Sequence, residues 1–326
     1  MHNLNMGEDG EAAMMYRGET PWHALGTAVK GVLYAAEAIQ KTRADWRVNL
    51  EPVYRLTSAG VKEVENRRVI VREDTGAEFG IVTKAYSPIQ NSDAFNFFDP
   101  IVKEGLAQYE TAGVLGAGER VWVQCSMPGG FTLPGTKDRT NPFAFLTTTH
   151  DGSGACQIIF GSVRVVCQNT IRLAMRNGKT AWSIRHVGNV EAAIKDARHA
   201  MGEAQGLFAA YQRRAHALAQ AACSRDALAQ YLLTLIPDNA AAKTTNARTA
   251  NIRAEIIHLA QHGKGNDGRT FWSAYNGVTE YVDHERSARG TESEKAANRF
   301  ESSFFGSGAS LKQDALDLAL DMAGVK

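Results

Sequence analysis

Residues 155–167 read Ala-Cys-Gln-Ile-Ile-Phe-Gly-Ser-Val-Arg-Val-Val-Cys. Ile158, Phe160, Val163 and Val165 recur at strand spacing across Cys156 to Cys167, so the stretch predicts a half-buried β-strand. Phe143 to Thr149 is a second apolar, Thr-rich run. Between the two lies His150-Asp-Gly-Ser-Gly154, whose Asp-Gly and Ser-Gly pairs are turn formers. The pair therefore predicts an antiparallel hairpin. A catalytic role for this loop has no second group in sequence reach, so the loop is expected to be a turn. From Gln168 the period changes, and a short helix is expected there.

Working toward the N-terminus, Gln108 to Leu115 and Arg120 to Met127 form another hairpin across Gly116-Ala-Gly118. The run Gly113-Val-Leu-Gly-Ala-Gly118 lacks the lysine of a phosphate-binding loop. Ser92 to Val102 has helical spacing behind Asn91 or Ser92 as cap. Arg68 to Arg72 and Glu78 to Val82 flank the turn Glu73-Asp-Thr-Gly76. Trp46 to Leu56 reads as a strand and Leu33 to Thr42 as a helix. Residues 1–30 show no period and are expected to lie as an arm held by Trp22 and Leu25.

Toward the C-terminus the pattern is helical: Val190 to Ala222, Asp226 to Ile236 stopped by Pro237, Ala247 to His262, Arg269 to Arg286, Glu292 to Phe304 and Leu311 to Met322. Pro237 to Thr245 is the linker candidate. The expected fold is α+β, a mostly antiparallel sheet packed with helices and followed by a helical C-terminal half. The expected division is an arm over 1–30, an α+β core over 31–189 and a helical region over 190–326.

The chain has 326 residues, with 36 Lys+Arg against 35 Asp+Glu, 44% hydrophobic and 22% charged. That composition is ordinary for a globular protein. No apolar run reaches the roughly 20 residues of a membrane span, and Met1 to Gly10 does not read as a signal peptide. Cys125, Cys156, Cys167 and Cys223 form no C-x-x-C pair and are expected as reduced core thiols in a cytoplasmic protein. No metal-ligand spacing, cofactor motif or catalytic constellation is visible.

Against this neutral background, Gly152 to Val190 carries no acidic residue. It holds Arg164, Arg172, Arg176, Lys179 and Arg185. A block of one sign creates a field for an anionic partner, and a phosphate backbone is the usual one. Arg172 and Arg176 would share a helical face. Asn169, at the start of that helix, would leave backbone N–H groups free for a phosphate oxygen. Trp22, Tyr109 and Phe160 are the candidate base-stacking residues, while Trp46 and Trp122 alternate within strands and are expected in the core. Glu280, Asp283 and His284 stand at i, i+3, i+4. A metal-binding reading is weighed there against a buried polar network, and the network is preferred.

The runs Tyr86-Ser-Pro-Ile-Gln-Asn-Ser-Asp-Ala-Phe-Asn-Phe-Phe98, Tyr109-Glu-Thr-Ala-Gly113, Arg164-Val-Val-Cys-Gln-Asn-Thr170 and Thr279-Glu-Tyr-Val-Asp-His284 resemble phage- and plasmid-related proteins grouped under a domain of unknown function. The resemblance covers most of the chain and implies a mobile-element setting, without a biochemistry. In its order of strands and helices the chain is also similar to single-strand annealing proteins of the RecT and Red-beta type. That likeness implies a basic groove for single strands and assembly into rings or filaments.

The expected function is non-enzymatic single-stranded DNA binding or annealing in recombination or replication, by a homo-oligomer and away from membranes. The alternative is an accessory factor that binds a host protein, as in anti-restriction or anti-defence. A hydrolase is the weakest reading, because the carboxylates have no catalytic spacing.

Overall fold

The computed structural model describes residues 4–18, 25–134, 138–164, 169–172, 182–188, 192, 204–238, 247–287, 295, 298, 302–303 and 306–325. Its strands are β1 (Met14–Arg17), β2 (Thr27–Val29), β3 (Val48–Thr57), β4 (Gly60–Arg72), β5 (Glu78–Thr83), β6 (Gln108–Leu115), β7 (Arg120–Ser126), β8 (Phe131–Thr132), β9 (Arg139–Thr149), β10 (Cys156–Arg164), β11 (Asn169–Arg172) and β12 (Trp182–Ile184). Its helices are α1 (Ala35–Lys41), α2 (Asn91–Asn96), α3 (Asp99–Lys103), α4 (Ala204–Gln220), α5 (Arg225–Leu235), α6 (Ala247–His262), α7 (Phe271–Glu280) and α8 (Ser307–Met322). A π-helical turn over Tyr281–Glu285 extends α7.

Among the described residues, the large sheet runs β11-β10-β9-β7-β6-β1-β2, with β12 beside β10 and β8 beside β9. Every pairing in it is antiparallel except β1 with β2. A second sheet has the order β3-β4-β5. The fold is thus α+β, with a mostly antiparallel sheet and helices gathered in the C-terminal half.

The alternation of side chains builds two layers. Val121, Val123, Ala144, Leu146, Ile158 and Phe160 face the main core, which α1, α2 and α3 complete. Trp122, Phe143, Phe145 and Ile159, one residue out of phase, form a smaller cluster on the opposite face. Gly113 lies directly across from Trp122, and a Cβ there would stand 2.8 Å from the indole. The glycine is what lets the ring lie flat over the strand. A third cluster belongs to α4–α8, joined by Phe131 and Leu133 from the β8 region.

Three expectations change. Residues 14–17 and 27–29, read as part of an irregular arm, form β1 and β2. Met14 and Met15 are both buried, 6% and 0% exposed, because the sheet is covered on both faces there. Period-2 patterning is lost in such a strand. The single helix over 92–102 is two helices, since Pro100 stands in the first turn of α3, where its missing N–H costs nothing.

The helix expected from Gln168 is instead a strand over the described residues. β11 pairs with β10 in the register Arg164↔Asn169 and Gly161↔Arg172. Thr170 and Ile171 are β-branched, and the neighbouring ladder satisfies their backbone. The free helix N-terminus proposed at Asn169, and the i,i+4 face shared by Arg172 and Arg176, are therefore withdrawn.

No helix among the described residues is long and apolar enough to cross a membrane.

Candidate nucleic-acid interface

β9, β10, β11, β12 and α4 contain no Asp or Glu in their sequences. They contain Arg139, Arg164, Arg172, Arg213 and Arg214. Arg139, Arg213 and Arg214 are exposed. The acid-free character read at 152–190 thus continues into β9 and α4. Sequence reading missed both because acidic residues at 138, 151, 191, 196 and 203 interrupt the run along the chain but lie outside these elements. α4 meets the sheet at β10, which brings the two acid-free stretches together.

Where they meet, a half-open cavity of about 330 Å³ remains. Met127, Pro142, Phe143, Phe160 and Phe208 wall it, and the Gln212 amide joins them. Its origin lies in the sheet. β9 pairs with β7 from Phe143 onward and with β8 only at Arg139 and Thr140. Pro142, with no N–H, stands where the two ladders part. Phe131 fixes α4 over the opening, its ring 5.5 Å from Phe208 and 5.5 Å edge-on from His216.

The residues singled out from sequence separate as follows. Arg164 pairs with Asn169 at one end of the β10–β11 ladder, and Arg172 pairs with Gly161 at the other. Arg185 is exposed just after β12. Arg176, Lys179 and Trp22 lie outside the described residues. Phe160 is 3% exposed and forms cavity wall. Tyr109 is 1% exposed, and its hydroxyl donates to the Phe95 carbonyl at 2.6 Å. It is a core residue and offers no face to a base, which corrects its assignment as a stacking residue.

A second buried cluster sits under the β9–β10 turn. His150 is 0% exposed, and its Nε2 lies 2.8 Å from Asn91 Oδ1. Burial holds its pKa down to about 3, with the neighbouring His186 adding to the effect. His186 accepts a hydrogen bond from the Ile89 N–H at Nδ1 and stacks on Tyr86 at 4.8 Å. Burial lowers its pKa too and raises that of the Tyr86 phenol. Arg72 lies over the Trp46 ring at 4.3 Å and donates to the Ala117 carbonyl at 2.6 Å. This cluster ties the small sheet to the large one. The turn itself is closed by Asp151, whose Oδ1 accepts from the Ser153 N–H at 2.9 Å, as the turn reading expected.

Around the π-helical turn, Lys312 Nζ stands 2.7 Å from Asp283 Oδ1, the two side chains 4% and 8% exposed. Glu280 is 8% exposed, while His284 is exposed. Asp283 therefore belongs to a buried ion pair between α7 and α8, while the exposed His284 is no part of that pair. No group of three or more His, Cys, Asp or Glu able to hold a metal occurs among the described residues. Cys125, Cys156 and Cys223 are buried free thiols, and burial raises the pKa of Cys156 to about 12 and of Cys223 to about 11.

A family model described as Domain of unknown function (DUF932) matches residues 78–304, well over half of the chain. The chain belongs to the DUF932 family. The matched DUF932 region begins at β5 and takes in α2, α3, β6 to β12, the cavity and the helices through α7. It leaves β1–β4 outside. No curated protein and no solved structure matches the chain.

Proposed function

We propose that this DUF932 protein is a non-enzymatic single-stranded DNA-binding protein, acting in strand annealing during recombination or replication of a mobile element. The observation that supports this reading is the packing of acid-free β9–β12 against acid-free α4, with arginines on both. Phosphate neutralisation needs such a one-sign surface, and a single strand needs apolar or aromatic walls beside it. The cavity between the two elements supplies those walls. The assembly we propose is a cytoplasmic homo-oligomer, ring or filament. A monomer mass by light scattering, with and without oligonucleotide, would refute that assembly. The test of the function is fluorescence anisotropy with single- and double-stranded oligonucleotides. Tighter binding to the single strand is expected, and no binding to either at low salt would overturn the reading.

A second reading, an accessory factor for a host protein, draws on the β3–β4 arm. Tyr54, Leu56 and Val61 are 59%, 85% and 68% exposed there. Leu56 pairs directly with Val61, and Tyr54 stands two residues from Leu56 on the same pleat. An apolar patch of this kind fits a protein surface better than a phosphate backbone. Loss of DNA binding at all salt concentrations would leave this reading standing.

A further inference from the structure

We infer that the cavity between β9–β10 and α4 receives one unstacked nucleobase of the bound single strand. The inference rests on the single-strand reading above and adds a site to it. At about 330 Å³ the cavity is at the small end of ligand pockets, which run to about 1,000 Å³. It has room for a planar heterocycle. Phe160 and Phe208 supply rings to its lining and Met127 and Pro142 are apolar, while the Phe143 ring belongs to the cluster on the other face of the sheet.

Its polar content is matched to a base edge. Gln212 contributes an amide, which presents a donor and an acceptor together. No carboxylate stands among the lining residues, so a phosphate at the mouth meets no repulsion from the wall. Gly161 lines the cavity, and Arg172 stands directly opposite it on the ladder. Arg213 is one helical turn beyond Ala209, another lining residue. Arg139 borders the Gly129–Gly130 wall, its guanidinium 3.1 Å from where a Gly130 Cβ would lie. An apolar slot with the Arg139 guanidinium beside it is complementary to a nucleotide, with its flat apolar centre and its anionic backbone.

The site would be read without sequence preference, because every base has a π-face and one amide adapts to more than one edge. Only a single strand can deliver a base this way at low cost, since a duplex must first unpair and unstack it.

The test uses the full chain, fluorescein-labelled oligo(dT), and a strand of the same length with abasic sites. The wild type is expected to bind oligo(dT) on the order of tenfold more tightly than the abasic strand. Ala209→Trp fills the cavity, and this variant is expected to bind the two strands alike. Gln212→Trp fills it from the neighbouring turn and guards against a folding defect in the first variant. Equal wild-type affinity for the two strands, or a persistent preference in both filled variants, would overturn the base site while single-strand binding stands. Absence of wild-type binding to either strand would overturn the single-strand reading together with the site.

Discussion

His150 donates its Nε2–H to Asn91 Oδ1 across 2.8 Å. The direction follows from Asn91, whose Nδ2 donates to the Ala44 and Trp46 carbonyls at 3.0 and 3.2 Å, leaving Oδ1 as acceptor. One buried amide thus connects the segment before β3, the N-terminus of α2 and the end of β9. It also fixes the imidazole as the Nε2–H tautomer, with an unprotonated Nδ1 in the core.

Replacing Asn91 with Leu should therefore be costly. Two carbonyls and one imidazole N–H lose a partner in the core, where each orphan costs about 1–3 kcal/mol. A loss of about 3 kcal/mol or more in urea unfolding is expected. A change below about 0.5 kcal/mol would show that water or neighbours replace the amide, and the connecting role would fail.

The same pair predicts an acid dependence. His150 is held neutral in the folded chain, its pKa lowered from 6.5 to about 3. Between those values the unfolded chain binds the proton and the folded chain does not. Stability is therefore full above about pH 6.5 and falls as pH drops toward 3. The linkage slope approaches about 1.4 kcal/mol per pH unit for one such group. His186, shifted the same way, adds to it. His150→Gln should flatten the slope between pH 6 and 4 relative to the wild type. Parallel slopes would place the acid sensitivity elsewhere.

The ion pair of Lys312 and Asp283 makes a third case. Both side chains are nearly buried, so Lys312→Met removes the cation from a buried ion pair and should cost about 3–5 kcal/mol. Adding Asp283→Leu should recover much of that loss. Additive losses in the double-mutant cycle would show that the two charges are not coupled.

The hairpins were legible in the sequence because their turns demand particular residues. Gly76 at φ +69° and Gly152 at φ +76° lie where the Thr-Gly and Asp-Gly signals placed them. The α5 and α8 spans followed from apolar periodicity in the same way. β1 was illegible because both faces of Met14–Met15 are covered. β11 was misread because four residues carry too little period to separate strand from helix, and only the β10 ladder decides them. The candidate site was half legible. Local composition marked the basic strands, but their union with α4 and the cavity at Pro142 are products of tertiary packing. Tyr109 shows the opposite error, an aromatic chosen by type whose hydroxyl is bound inside the core.

The most direct measurement of the central claim is the salt dependence of oligo(dT) affinity for the wild type and for a variant with Arg164, Arg172, Arg213 and Arg214 changed to Gln. Each phosphate contact contributes about 0.7 to the slope of log affinity against log salt for a single strand. The variant should bind all single-stranded sequences more weakly and with a slope shallower by about 0.7 for each arginine in contact, while thermal unfolding stays within a few degrees of the wild type. Equal affinity and parallel slopes in a folded variant would contradict the account, because the acid-free face would then not be the surface that meets the phosphates.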